Sequence, residues 1–245
     1  MTHWKMTRQK TRTSPCPRCR ENGRDVRGNN LVWFDEDNAH CFACGHHIWP
    51  KHYTPVKPKK DYHGSKVLPA DFTKEVPAKA WKWLLQYGLP IKYWRPYVGY
   101  SESHSRVVLT CGDPVLFSIG RDITGESKAK WLAYGDTHKT AVSYGDVSSA
   151  KQVVLVEDLV SAHKVAQCSL VIPLFGTVVH PCHYKLLKYF GLPVVIWLDK
   201  DQEQYIPKKV AQLSVMTGLP CFSITTDKDP KELTQEYIKE KLLDI

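Results

Sequence analysis

From about residue 150 onward the chain alternates short apolar runs with amphipathic stretches. Val153 to Val156 is continuously apolar, the pattern of a strand buried on both faces. Leu170 to Phe175, Pro193 to Leu198 and Cys221 to Thr225 read as three further strands. Between and after them, Ser161 to Gln167, Pro181 to Phe190, Pro207 to Thr217 and Lys231 to Leu243 carry helical spacing. Strand–helix alternation predicts a mostly parallel sheet flanked by helices, so this half is α/β.

The preceding segment reads differently. Ala78 to Tyr87 predicts a helix stopped by Gly88 and Pro90. Arg106 to Thr110 and Pro114 to Ile119 are strand-like, and Asp122 to Glu126 is turn-like. Residues 67–150 are therefore a mixed basic subdomain and residues 151–245 an α/β subdomain, α+β overall. Residues 51–66 hold five lysines, two prolines and one acid without apolar periodicity, which reads as a flexible tether. Residues 1–13 contain four basic residues and no acid, a basic arm. Residues 14–50 form a separate cysteine-bearing module.

At 245 residues the chain has room for one to two ordinary domains. With 42% hydrophobic and 24% charged residues it is foldable, which excludes wholesale disorder. The net charge of +9 favours an anionic partner. Residues 1–66 carry +7 of it, residues 67–150 carry +2, and residues 151–245 are neutral. The longest apolar stretch, Leu170 to Val179, is broken by Pro173 and Gly176, so no membrane span is expected. Nor does the polar N-terminus offer a secretory signal, and a cytoplasmic location follows as the expectation. There the eight cysteines would stay reduced. Cys111, Cys168, Cys182 and Cys221 are isolated and expected as small buried side chains. No phosphate-binding G-x-x-x-x-G-K-[ST] loop is present.

The other four cysteines form two C-x-x-C pairs, Cys16/Cys19 and Cys41/Cys44, separated by 21 residues. Each pair can point two thiolates at one ion, and four thiolates close a tetrahedral, structural zinc site. Leu31 to Phe34 reads as a strand and Asp35 to Asn38 as a turn, giving a zinc ribbon. His40, His46 and His47 are spare ligands that four cysteines make unnecessary. Asn30, Trp33 and His40 are candidates for reading a nucleic-acid template, and could equally pack on the hairpin.

Carboxylates follow the predicted strands. Glu157 comes after Val156, Asp199 and Asp201 form D-x-D after Leu198, and Asp227 and Asp229 follow Thr225. In a parallel sheet the functional edge is at the carboxyl ends of the strands. On an extended backbone D-x-D would point both acids to one side. Converging carboxylates require a cation, and hard oxygen donors suit Mg²⁺ or Mn²⁺. Any one of these acids could instead be a solvated loop residue or a helix cap.

Val153 to Glu157, Leu174 to Thr177 (LFGT) and Trp197 to Asp201 (WLDKD) resemble the TOPRIM domain of bacterial-type primases, topoisomerases, some nucleases and recombination mediators. Lys228 to Glu232 is similar to the K-D-P-x-E element of primases. Leu84 to Leu89, Gly99-Tyr100, Gly120-Arg121-Asp122 and Lys128 to Leu132 are similar to elements ahead of the primase catalytic core. With the ribbon, the resemblance runs through nearly the whole chain in the family's order, closest to bacteriophage primases and the primase half of phage primase–helicases. Three departures stand out: no helicase domain follows, the K-D-x-D variant of the last element is reduced to Asp229, and Trp131 stands where tyrosine is usual.

The resemblance implies synthesis of RNA primers from ribonucleoside triphosphates on single-stranded DNA. Glu157, Asp199 and Asp201 would hold Mg²⁺, with Asp229 assisting. Arg121, Lys128 and Lys130 would neutralise triphosphate or template phosphates. A separate replicative helicase and a DNA polymerase would be partners, in a bacterial host cell. A non-catalytic recombination mediator and a TOPRIM nuclease are the alternative readings.

Overall fold

The computed structural model describes residues 12–34, 38–48 and 67–244. Most of the expected basic arm, Asp35 to Asp37 of the expected turn and residues 51–66, expected as a tether, lie outside them. The chain divides into two compact units, Met1–Asp61 and Tyr62–Ile245.

In the first unit, β1 (Arg12–Ser14), β2 (Leu31–Trp33), β3 (Ala39–Cys41) and β4 (His47–Ile48) form one antiparallel sheet in that order. Arg12 and Thr13, read from sequence as arm, pair with Trp33 and Val32. The one-turn helix α1 (Pro17–Glu21) starts with Pro17, whose fixed φ suits the first helical position. Its first turn carries Cys19 back beneath Cys16, with the Arg20 N–H bonded to the Cys16 carbonyl at 2.9 Å. Leu31, Ala39 and the cysteines are the only core this sheet has among the described residues. That is too little apolar surface to hold so small a unit without a further link.

The second unit contains two sheets. Helices α2 (Ala78–Leu85) and α3 (Ile91–Trp94) precede an antiparallel sheet of β5 (Val98–Ser101), β6 (Arg106–Cys111), β7 (Phe117–Asp122) and β8 (Trp131–Tyr134). Sequence patterning missed β5 and β8. It also began β7 too early: Pro114 to Leu116 form a turn closed by the Leu116 N–H on the Cys111 carbonyl. A proline without an N–H fits that turn better than a ladder.

The parallel sheet follows: β9 (Val153–Val156), α4 (Leu159–Val165), β10 (Leu170–Pro173), α5 (Pro181–Phe190), β11 (Val194–Trp197), α6 (Ile206–Thr217), β12 (Cys221–Ser223) and α7 (Gln235–Leu243). Strand order is β10-β9-β11-β12, all parallel. Alternate residues serve opposite faces. Val153, Leu155, Val194 and Ile196 pack with Leu187 of α5 and Leu213 of α6, while Val154, Val156, Val195 and Trp197 pack with α4 and with Ile238 of α7. Both faces are covered, which is why these strands read as unbroken apolar runs.

Two helix boundaries depart from the sequence reading because of caps. Asp158 accepts from the Ser161 N–H at 2.9 Å and starts α4 at Leu159. Thr234 caps α7, so the expected helix from Lys231 is a short 3₁₀ turn, Pro230–Glu232, followed by α7. Helix α4 also joins the two sheets. Its Leu159 and Val160 pack in the core of α2, α3 and the antiparallel sheet, and its Ala162 and Val165 pack under the parallel one. His163 on the same helix is enclosed by Tyr93, Trp94, Tyr97 and Tyr144, with its Nδ1 2.8 Å from the Tyr93 hydroxyl. Of the isolated cysteines only Cys111 is fully buried; Cys182 near the start of α5 and Cys221 at the start of β12 are half-buried, and Cys168 is exposed.

Candidate functional site

In the strand order β10-β9-β11-β12 the chain runs from β9 to one side and then crosses back to the other. The carboxyl ends of β9 and β11 therefore flank a switch point, where a crevice opens. Glu157 directly follows β9, and Asp199 lies two residues beyond β11. Both line a cleft of about 400 Å³ together with Asp158, Lys231, Trp131 and Phe175. A larger depression of about 720 Å³ lies at the amino ends of the same strands, lined by Gln152, Ser169, Pro193 and Pro220. It gathers no comparable set of acids, so the carboxyl-end cleft is the site to consider.

The charges of the cleft gather around one lysine. Lys231 Nζ contacts Asp229 Oδ2 at 2.6 Å, Asp158 Oδ2 at 2.9 Å and Asp199 Oδ2 at 3.5 Å. Glu157 Oε2 and Asp199 Oδ1 are buried and have no hydrogen-bond partner. Burial pushes the Asp199 carboxyl up to about 7, against the opposing pull of Lys231. Burial also raises Glu157, and the charge of Asp201 adds to it. Burial alone would depress the Lys231 ammonium, but Asp158, Asp229 and Asp199 together hold it above the usual lysine range. Two inward carboxylate oxygens without partners are what a divalent cation with hard oxygen ligands would satisfy.

The cleft wall comes from the turn after β10. Phe175 adopts φ 54° and Gly176 φ 139°, and the Gly176 N–H donates to the Glu157 carbonyl at 3.0 Å. Phenylalanine rarely occupies the left-handed region, and the strain is held by packing. Its ring meets Phe117 edge-on at 5.1 Å, linking this turn to β7.

The other sequence candidates are placed as follows. Asp201 lies not on extended backbone but in the 3₁₀ turn Lys200–Tyr205, where it is exposed. Period-two geometry ends at Asp199, so the D-x-D pair does not share a strand face. Asp229 is half-buried against Lys231, whereas Asp227 is exposed and paired with Lys200 at 2.7 Å. Arg121 lies over the rings of Trp131 and Trp83, 5.1 and 5.7 Å from their centroids. Lys128 and Lys130 are exposed on the segment before β8. Arg106, which sequence reasoning passed over, anchors that segment: its guanidinium donates to the carbonyls of Gly120, Ala129 and Lys130 and to the Ser127 hydroxyl. Asp158 and Lys231 were also missed as site residues. The Asp-x-x-Ser cap was the available signal for Asp158; nothing in Lys228 to Glu232, which holds two lysines and two acids, singled out Lys231.

In the first unit Cys16, Cys19, Cys41 and Cys44 converge with all four sulfurs within 4.8 Å of one another. The Cys16–Cys44 and Cys19–Cys41 sulfur distances are both 3.6 Å. A tetrahedral zinc with bonds of about 2.3 Å sets its sulfurs about 3.8 Å apart, so the cluster fits a structural Cys₄ zinc. The Asp25 carboxylate braces the first knuckle, accepting from the Cys16 N–H at 2.6 Å. His40 pairs with His47, their Nδ1 atoms 3.2 Å apart, rather than joining the cysteines. Trp33 donates from Nε1 to Ser14 Oγ at 2.8 Å, and Arg12 lies over its ring at 4.5 Å. The Asn30 side chain donates to the Arg24 carbonyl at 3.4 Å. Phe42, in the turn between the second pair of cysteines, is the exposed aromatic of this unit among the described residues, 71% accessible.

No protein-family model matches the sequence, and no curated protein does either. Solved structures do. The zinc-binding and RNA polymerase domains of the Aquifex aeolicus primase align over 69% of this chain and 55% of theirs, with TM-score 0.58 and 19% identity. A DNA primase domain from Pseudomonas aeruginosa aligns over 69% of this chain and 60% of its own, with TM-score 0.45 and 17% identity. The chain thus spans little more than half the length of either. Among the described residues no helix is long and apolar enough to cross a membrane. At this level of identity the likeness to the Aquifex structure is one of fold, and this chain has a DNA primase-type fold: a mixed α/β body with a small Cys₄ ribbon.

Proposed function

We propose that the chain is a DNA primase, joining ribonucleoside triphosphates into short RNA primers on single-stranded DNA. The observation that carries this reading is the pair of buried, unpartnered oxygens, Glu157 Oε2 and Asp199 Oδ1, on the cleft at the switch point. Glu157 and Asp199 would hold Mg²⁺ or Mn²⁺, with Asp201 and Asp229 beside them. The bound cation would supply charge neutralisation for the triphosphate and for the leaving pyrophosphate. The chain's own residues orient and exclude water. The Phe175–Gly176 turn and Trp131 wall the cleft, and Arg121, Lys128 and Lys130 offer positive charge to phosphates on the antiparallel sheet's edge. Zinc would hold the first unit folded so that it can sense template sequence, Phe42 being the ring most open to a base among the described residues. A separate helicase and DNA polymerase would be the partners.

The test is single-stranded DNA, four labelled ribonucleotides and Mn²⁺ or Mg²⁺, with products sized on a gel. Oligoribonucleotides made by the wild type, and reduced at least 100-fold in Glu157→Gln and Asp199→Asn, are the expected outcome. Shortened nucleic acid would indicate a nuclease. DNA binding with no incorporation would indicate a mediator. Wild-type synthesis by either variant would remove these two acids from the site.

A further inference from the structure

Lys231 occupies an unusual position for a lysine. Its ammonium lies between three carboxylates, at 2.6 Å from Asp229, 2.9 Å from Asp158 and 3.5 Å from Asp199, and its side chain is only 19% exposed. These contacts are not a surface ion pair. Two of them come from the loops after β9 and β11, so the ammonium ties together the two strand ends that form the crevice.

Asp199 is divided by this arrangement. Its Oδ2 faces the ammonium while its Oδ1 is buried without a partner. Glu157 Oε2 is likewise buried and unpartnered, and Glu157 makes no contact with Lys231. The acidic cluster therefore has two sides. Asp158, Asp229 and one oxygen of Asp199 are already served by a cation belonging to the chain. Glu157 Oε2 and the other oxygen of Asp199 have no hydrogen-bond partner.

We propose that Lys231 is a resident cation that takes the place of one divalent metal, so that the cluster binds a single Mg²⁺ or Mn²⁺ at Glu157 and Asp199. The ammonium already occupies the space between Asp158, Asp199 and Asp229 where a second ion would have to sit, and a lysine cannot leave. A lysine is fixed by its backbone, so this half of the site is assembled in the absence of metal, and occupancy of the other half alone depends on metal concentration.

The inference rests on the carboxyl-end cleft being the metal site of the proposed primase, and its test reads metal directly. The zinc-loaded full chain is titrated with Mn²⁺, with free Mn²⁺ followed by electron paramagnetic resonance. Wild type should take up one Mn²⁺ per chain, lost in Asp199→Asn. Lys231→Met should take up two, and Lys231→Arg, which keeps the charge, should take up one. Should Lys231→Met unfold in metal-free buffer, added Mn²⁺ should restore its circular dichroism; failure to do so overturns the proposal. Two Mn²⁺ in the wild type, or one in Lys231→Met, also overturns it. The two readings fail separately. These stoichiometries without primer synthesis would sink the primase and leave the lysine's role standing. Primer synthesis with one Mn²⁺ in both proteins would do the reverse.

Discussion

At the scale of single residues, two buried histidines contribute to the molecule's response to acid. Burial pulls His163 down to about 3, and burial with the nearby charges of His180 and His138 pulls His183 down to about 4. Both stay neutral in the folded chain below roughly pH 6.5, where an unfolded chain gains protons. The unfolded state then binds more protons, so stability is full above about pH 6.5 and falls as pH drops towards 4. His163 alone should cost about 2 kcal/mol between pH 6.5 and 5. Urea midpoints at pH 7 and pH 5 check this. His163→Phe should lose much of the pH dependence, and an equal fall in that variant would clear His163 of the effect. Glu157 and the four ribbon cysteines were legible at this same scale, because an acid after an apolar run and paired C-x-x-C spacings are local signals. Lys231, Asp158 and the aromatic shell of His163 were not. Their partners lie far along the chain, as with Lys231 and Asp158 or Tyr93 and His163, and no local pattern encodes such contacts.

At the scale of elements, the turn after β10 is the least replaceable piece of the cleft. Gly176 at φ 139° occupies a conformation that an alanine reaches only with strain, although nothing lies within 4 Å of where its Cβ would be. Gly176→Ala should therefore lose about 1–3 kcal/mol of stability, measured by urea denaturation. It should also lose most primer synthesis, because a turn relaxed away from φ 139° would carry its N–H off the Glu157 carbonyl. A variant with unchanged stability would show that the turn relaxes freely. The parallel strands were readable because burial on both faces makes them uniformly apolar. The strands β5 and β8 were not, since Val98–Ser101 is interrupted by a glycine and Trp131–Tyr134 is a four-residue run that does not by itself distinguish strand from helix. Helix ends shifted wherever a cap was decided by one side chain, as at Asp158 and Thr234.

At the scale of the whole molecule, the two units depend on different kinds of cohesion. The ribbon's core is small and leans on its cysteines, so chelating zinc should unfold residues 12–48 and leave the thermal transition of the body nearly unchanged. Calorimetry with and without chelator separates the two, and loss of the body's transition on chelation would contradict this. In the proposed function, template preference should vanish with the zinc while some metal-dependent chemistry persists.

Helix α4 gives the body a different unity. Leu159 and Val160 face one core and Ala162 and Val165 the other, on a helix of seven residues. No point on the chain separates the two sheets without stripping one of them of part of its interior. The parallel sheet made alone would carry Leu159 and Val160 as two apolar side chains open to water, and the antiparallel sheet made alone would carry the matching hole.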